Sequence, residues 1–216
     1  YRRELCLTNA TEKIEFCQDD LIYQREFFVS MSEPVMAIHY HTSPKCNLEM
    51  SITLESEIKH KSAFFAENGI ILEGQAPIYV APPYYSCEVP VVYEKGQGIR
   101  FAIGLYVQTN GGNVYQQADK LFINTPNDVY IYVSGVTDFK QKELFFSKRN
   151  CMMENIQHIQ YEKQKKAHMD AYANYFDRMH LDINYTPDNE LALKMFHYAR
   201  YLMICSSVPG SQCTNL

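Results

Sequence analysis

His39 and His41 alternate on a stretch of strand-like sequence, so both imidazoles point to one face and could share a metal ion. No third ligand stands at a readable spacing from them. Packed or surface histidines are the simpler account, and the sequence leads us to expect no metal. Cys205 and Cys213 flank a small-residue turn that carries Ser206 and Ser207. A thiol nucleophile needs a base within reach, and none is identifiable here. The carboxylates Glu88, Glu94, Asp119 and Asp138 are scattered over turns and strand ends. With 25 Asp and Glu in the chain, pairing two of them as acid and base would be arbitrary. Tyr79, Tyr84 and Tyr85 differ from these groups. They lie close together in a proline-rich stretch, and a flat ring with a polar tip stacks well on a sugar ring. The competing account has these tyrosines packing a β-domain against helices.

The elements that position these groups must fit in 216 residues, room for one large domain or for one domain and part of another. An apolar fraction of 46% is that of a globular protein. The formal net charge is -5. Lys163, Lys165 and Lys166 cluster, but beside Glu162 on a predicted helix, which reads as a solvated face. An acidic chain without a basic stripe is a poor partner for nucleic acid. No apolar run approaches the roughly 20 residues of a membrane-spanning helix. The chain starts at Tyr1 rather than Met, which we read as the start of a fragment, so the lack of a signal peptide decides nothing. The seven cysteines are odd in number and contain no CxxC. We expect free thiols and no disulfides, a usage that favours a cytoplasmic setting. Asn9-Ala10-Thr11 and Asn184-Tyr185-Thr186 match the glycosylation acceptor pattern, which is short and has meaning only in a secretory pathway.

Up to about Phe139 the hydrophobic period is two. Leu21 to Val29 is rich in β-formers, and Val35 to His41 alternates. So does Leu48 to Glu55, with Leu48, Met50, Ile52 and Leu54 on one face and Glu49, Ser51, Thr53 and Glu55 on the other. Asn68-Gly69 marks a tight turn, as does Asn110-Gly111-Gly112-Asn113. Many strands with short polar turns predict an antiparallel sandwich or barrel. Ala76 to Pro90, with Pro77, Pro82, Pro83 and Pro90, predicts a long irregular loop. After Asn150 the period becomes 3.6. Met169, Tyr172, Phe176 and Met179 place an amphipathic helix over roughly Glu154 to Arg178. Thr186-Pro187-Asp188 predicts a second helix start: Thr186 caps, Pro187 suits the first position, and Asp188 and Glu190 favour the positive end of the dipole. That helix, Asp188 to Cys205, is apolar over a wide arc and needs neighbours on several sides.

Several of these stretches, taken in order, resemble one known family. Tyr1-Arg2-Arg3-Glu4-Leu5 is similar to a "Y-R-R-E-L-D-L" strand, with Cys6 in place of the Asp. Tyr23-Gln24-Arg25-Glu26-Phe27-Phe28 is similar to "Y-x-R-E-x-F". Gly74-Gln75-Ala76-Pro77 and Pro90-Val91-Val92-Tyr93 frame a similar loop, and Gly98-Ile99-Arg100-Phe101 and Gly111-Gly112 match the strand and turn after it. Thr137-Asp138-Phe139 stands for "T-S-F". His168, Tyr172, Phe176, Arg178, Leu181 and Asp182 fit "H-x-x-x-Y-x-x-x-F-x-R-x-x-L-D". Arg200-Tyr201-Leu202-Met203-Ile204-Cys205-Ser206-Ser207 with Pro209-Gly210 resembles "R-Y-L-L-I-S-S-S-x-P-G", and Cys213-Thr214-Asn215-Leu216 enters "A-N-L-Q-G". The pattern resembles glycoside hydrolase family 95, the α-L-fucosidase family.

The resemblance implies a mainly β chain. An antiparallel β-sandwich would occupy residues 1–150, lacking its opening strands. A helical linker would occupy 151–185, and 186–216 would begin a truncated (α/α)6 barrel. It implies inverting hydrolysis of a terminal α-L-fucose or α-L-galactose on an oligosaccharide, with a Glu acid and an Asn-assisted Asp base. All of those catalytic residues would lie beyond Leu216, and no cofactor is implied. Asn215 would stand near the sugar. The barrel would pack on the C-terminal helices, leaving Met195, Phe196, Ala199 and Leu202 exposed in this chain. The rival readings are a free-standing carbohydrate-binding sandwich with the loop tyrosines as its platform, and a purely structural domain that supports the barrel.

Overall fold

A computed structural model describes residues 1–125, 128–184 and 186–208. Thirteen strands come first. They are β1 (Arg2–Cys6), β2 (Thr11–Gln18), β3 (Leu21–Val29), β4 (Met36–Ser43), β5 (Leu48–Ile52), β6 (His60–Phe65) and β7 (Gly69–Gln75). The two-residue β8 (Tyr79–Val80) and β9 (Val91–Val92) follow, then β10 (Arg100–Thr109), β11 (Asn113–Gln117), β12 (Lys120–Thr125) and β13 (Val129–Thr137). A single 3₁₀ turn, Lys142–Leu144, leads into α1 (Phe145–Gln157), α2 (Tyr161–Phe176) and α3 (Pro187–Ser206). The mainly β, antiparallel reading holds: among the described residues every strand pair is antiparallel.

Eight strands form one large sheet in the order β1-β2-β3-β4-β13-β10-β7-β6, and β11-β12-β5 form a small second sheet. The alternation in the sequence fixes which side chains lie between them. Leu105, Val107, Val129 and Ile131 of the large sheet meet Leu48, Leu121 and Ile123 of the small one in a buried cluster, with Ile38, Tyr40, Met50 and Ile52 at its border. At roughly 1.5–3 kcal/mol per buried aliphatic side chain, this inter-sheet core is a principal source of stability. The strand predicted over Leu48 to Glu55 ends at Ile52, although Leu54 still packs on the same core.

The other face of the large sheet is covered by helices, so the domain has three layers. Phe145 and Met152 of α1 pack on Ile71 and Ala102, and Ile156 joins Phe28, Ala37 and Tyr132. A Cβ on Gly104 would stand 3.0 Å from Met152 Cε and 3.2 Å from Ile156 Cδ1, so glycine lets α1 lie close on β10.

Three local expectations need correction. The helix predicted over Glu154 to Arg178 is two helices, and the first begins at Phe145, inside the span assigned to the sandwich. Ile156 and Tyr161 are both buried against one cluster. On a continuous helix they would point about 140° apart, so the chain breaks between them. Gln108 holds the break: its Nε2 donates to the carbonyls of Gln157 and Ile159, each at 3.1 Å. The turn at Asn68-Gly69 exists, but its left-handed residue is Ala66 (φ 50°). Gly69 is already in β7 opposite Phe65, whose ring fills the space a Cβ would need. Asn110-Gly111-Gly112-Asn113 does not close a hairpin; it carries the chain from the large sheet to the small one. No helix among the described residues is long and apolar enough to cross a membrane.

Candidate functional site

β7 ends at Gln75 and β10 begins at Arg100, and residues 76–99 leave the sheet as an arm. The arm is ordered by its backbone. Ala76 N–H donates to Ile99 O at 2.8 Å, β8 pairs with β9 through Tyr79 opposite Val92 and Val80 opposite Val91, and Ile78 N–H donates to Val92 O at 2.9 Å. Ala81 N–H to Pro90 O (2.7 Å) and Tyr85 N–H to Pro82 O (2.9 Å) close its tip. Four prolines limit what else this segment can do. Tyr79, Tyr84 and Tyr85 are all exposed, Tyr84 to 90%, together with Ile78, Val80, Val89 and Val91. These tyrosines therefore do not pack the β-domain against α1, α2 or α3. Phe145, Met152, Ile156 and Tyr161 do that packing instead. The arm presents aromatic faces and polar tips to solvent, the chemistry that stacks on sugar rings.

The root of the arm is clamped. Asp138 is only 2% exposed. Its carboxylate accepts from the Arg100 backbone N–H at 2.9 Å and from Arg100 Nε at 2.8 Å. Arg100 Nη2 donates to Lys142 O at 2.7 Å, and the guanidinium lies over the Phe145 and Phe146 rings at 4.8 and 5.2 Å. Burial alone would raise the Asp138 carboxyl; the Arg100 hydrogen bonds and charge outweigh it and hold it below its usual value. Asp138 is thus committed to joining strand to helix. Glu88, Glu94 and Asp119 stand exposed on the arm and a turn.

At the opposite edge, α2 docks on the strands through His168, Tyr172 and Phe176. The His168 Nε2–H donates to Asn9 O at 2.9 Å, and Nδ1 accepts from Met31 N–H at 3.2 Å. That pair of bonds requires the neutral ring with its proton on Nε2. Burial pushes the imidazole below its ordinary value, against the opposing pull of the Asn9 and Ala10 carbonyls. The ring stacks on Phe28 at 4.8 Å, and the Tyr172 hydroxyl donates to Leu7 O at 2.8 Å.

α3 begins as predicted. Thr186 Oγ1 accepts from Asn189 N–H at 3.1 Å, with Pro187 in the first turn. None of its residues is fully buried. Tyr201 and Ile204 touch Tyr172 and Phe176, and Arg200 Nη2 donates to Phe176 O at 2.5 Å. The rest of its apolar arc faces outward: Met195 is 64% and Met203 69% exposed, with Leu191, Tyr198 and Leu202 beside them. Ala199 is exposed as expected, whereas Phe196 is half-buried, its ring against His197 and the Arg200 guanidinium. Asn215, the residue expected nearest to sugar, lies outside the described residues, as does Cys213. The other six cysteines are free thiols.

One cluster escaped the sequence reading. His39 Nε2 and His41 Nδ1 lie 2.8 and 2.9 Å from the same oxygen, Oδ1 of Asp128. Asp128 immediately precedes β13, where Val129 pairs with Tyr40 and Tyr130 with His39. Only the strand pairing brings it there, so no local spacing announced it. Burial raises the Asp128 carboxyl, and the two imidazoles more than reverse the effect. Next to it, Glu26 is bridged by Lys13 (3.1 Å), Lys165 (2.5 Å) and the Tyr161 hydroxyl (3.0 Å).

Comparison with known proteins extends this picture. "Alpha-L-fucosidase 2" of Arabidopsis thaliana is 24% identical over 254 residues, an alignment that takes in 100% of this chain and 30% of that protein. The chain therefore spans under a third of the curated relative it matches. A solved structure described as "Putative kojibiose phosphorylase from human microbiome" superposes with a TM-score of 0.61 at 11% identity, covering 94% of this chain and 28% of that one. At such identity the likeness concerns the fold alone. Residues 1–142, which hold the thirteen described strands and the Arg100–Asp138 pair, match the family model "Glycosyl hydrolase family 65, N-terminal domain". By that match the chain belongs to the glycosyl hydrolase family 65 N-terminal domain family.

Proposed function

We propose that this chain is the N-terminal part of an inverting glycoside hydrolase that removes terminal α-L-fucose, or failing that α-L-galactose, from an oligosaccharide. The acid and base belong to a helical barrel that continues from α3, and no catalytic residue is assigned to this chain. One observation carries the reading. The three-layer domain is followed by a 20-residue helix whose Leu191, Met195, Tyr198, Leu202 and Met203 remain uncovered. Such a face marks an interaction surface. The fucosidase relative, more than three times as long as this chain's share of it, supports both the partner and the sugar. Tyr79, Tyr84 and Tyr85 are assigned to substrate contact because the arm holds them exposed, and Asn215 is assigned to the cleft on the resemblance alone.

The test is a chromogenic α-L-fucoside and an α-L-galactoside offered to this chain and to a longer chain that runs through the helical domain. Proton NMR identifies the first anomer released. The longer chain should hydrolyse one of them with inversion, and this chain neither. Turnover by this chain alone would refute the assignment of the acid and base elsewhere. An inert longer chain would count against the sugar.

The exposed arm favours one alternative, a free-standing sugar-binding module. Fucosyl-oligosaccharide binding by this chain, lost in Tyr84→Ala and unaffected by adding the helical domain, would select that reading.

A further inference from the structure

We propose that His39, His41 and Asp128 bind one divalent transition-metal ion of the zinc type, with water from the adjoining cavity completing its coordination. The expectation of no metal rested on the lack of a third ligand, and Asp128 supplies it. One donor atom from each residue lies within 4.8 Å of the other two. The two histidines stand at i and i+2 on β4, so a pleated strand aims both rings to one face. Two imidazole nitrogens and one carboxylate oxygen suit zinc and its neighbours; magnesium and calcium prefer oxygen alone.

The geometry admits the ion once all three donors readjust, the two histidine nitrogens, now within 4.8 Å of each other, settling to tetrahedral spacing. Zinc takes nitrogen and oxygen donors at about 2.0–2.2 Å, so tetrahedral ligands stand roughly 3.3–3.5 Å apart. Both histidine nitrogens are now 2.8–2.9 Å from Asp128 Oδ1, drawn in by hydrogen bonding. The carboxylate, on the residue before the strand, has to withdraw by about half an ångström. The rings are already held: His39 stacks on Tyr130 at 4.5 Å and meets Tyr161 at 5.1 Å. On binding, each ring gives the metal the lone pair of the nitrogen that now faces Asp128. A proton on that nitrogen moves to the other ring nitrogen or leaves to solvent. A cavity of about 170 Å³, lined by His39, His41, Gln24, Glu15, Glu26 and Lys13, adjoins the cluster. It is polar and roomy enough for the water that completes the ligand set. Lys13 and Lys165 share the single charge of Glu26, and the Glu15 carboxylate on the same cavity offsets the positive charge that remains beside the ion.

The test uses the 216-residue chain, stripped with a chelator that is then removed. Zinc is titrated in competition with a chromophoric chelator, and cobalt is added separately as a spectroscopic probe. One ion per chain should bind, the cobalt complex should lack a thiolate charge-transfer band, and uptake should disappear in His41→Gln and in Asp128→Asn. In the unsubstituted chain, the imidazole ¹⁵N resonances of His39 and His41 should shift with zinc while those of the buried His168 stay in place. Four results would overturn the site: no stoichiometric uptake, a thiolate band that puts the ion on cysteines, undiminished uptake in both variants, or unmoved His39 and His41 resonances.

Discussion

Replacing His168 by Ala removes a side chain that ties three segments together. The ring is 1% exposed. Its loss leaves the Met31 N–H and the Asn9 carbonyl without their partner, and it opens a space against Phe28. A buried backbone group without its bond costs about 1–3 kcal/mol. Counting both groups at the low end, and adding about 1–2 kcal/mol for lost packing, gives about 3–4 kcal/mol. For a chain of this length each kcal/mol moves the melting temperature by about 2–4 °C, so a fall of about 6–16 °C is expected. His168→Gln, which retains a donor and an acceptor, should fall less. A second readout identifies the cause. The folded-state value of His168 lies below that of a free imidazole, so the native state resists protonation. Its contribution is fully present above the unfolded value near pH 6.5 and is lost as pH falls below it. Melting at pH 8 and at pH 5, followed by circular dichroism for the parent and His168→Gln, should show a smaller difference between the two at the lower pH. A fall of less than about 2 °C in His168→Ala, or an equal gap at both pH values, would refute the reasoning.

Asp138→Ala should cost about 2–4 kcal/mol, read from denaturant midpoints, because Arg100 keeps its charge beside two rings and loses its counter-ion; Asp138→Asn should cost less, since its side chain can still accept from the Arg100 N–H. Glu26 and Asp138 both ionise more readily folded than unfolded, so their stabilisation is present above the unfolded carboxyl range near pH 4 and fades as pH drops through it; an acid titration of the melting temperature should show a second decline there, reduced in Glu26→Gln. Tyr84→Ala should change stability by no more than about 0.5 kcal/mol, because the ring is almost fully solvated. Met195→Lys with Met203→Glu should leave the melting temperature of this chain unchanged and reduce self-association in sedimentation, whereas in the longer chain it should weaken the joint with the helical domain.

Much of this architecture is written in local periods. The alternation of Leu48, Met50 and Ile52 marked a strand with one buried face, and Thr186-Pro187-Asp188 marked the start of α3. Tyr172 and Phe176 were legible as the buried side of a helix, whereas Met179 of the same predicted stripe lies exposed beyond the helix end. What escaped depends on contacts distant in sequence. The break at His158–Gln160 comes from Gln108 on β10, about which the helical segment contains no information. Asp128 meets His39 only because β13 enters the sheet beside β4. The tyrosine arm was recognised as an irregular loop, but whether its rings were covered depended on where the helices landed. Asp138 looked like one carboxylate among many, although the pieces that hold it, Arg100 and Phe145, lie on either side of it in sequence.

The position of β13 has a consequence for how the chain is made. It lies between β4 and β10, so β1 to β4 on one side and β10, β7 and β6 on the other become a single sheet only when this last strand inserts. Its partner β4 has long since left the ribosome: His39 and Asp128 are 89 residues apart. Until then two half-sheets wait with an open edge each, and such edges invite pairing with other nascent chains. Long-range closure of this kind is slow. Synthesis halted anywhere before Thr137 should therefore yield chaperone-bound or aggregated product, and protease resistance should appear abruptly once β13 and α1 have emerged.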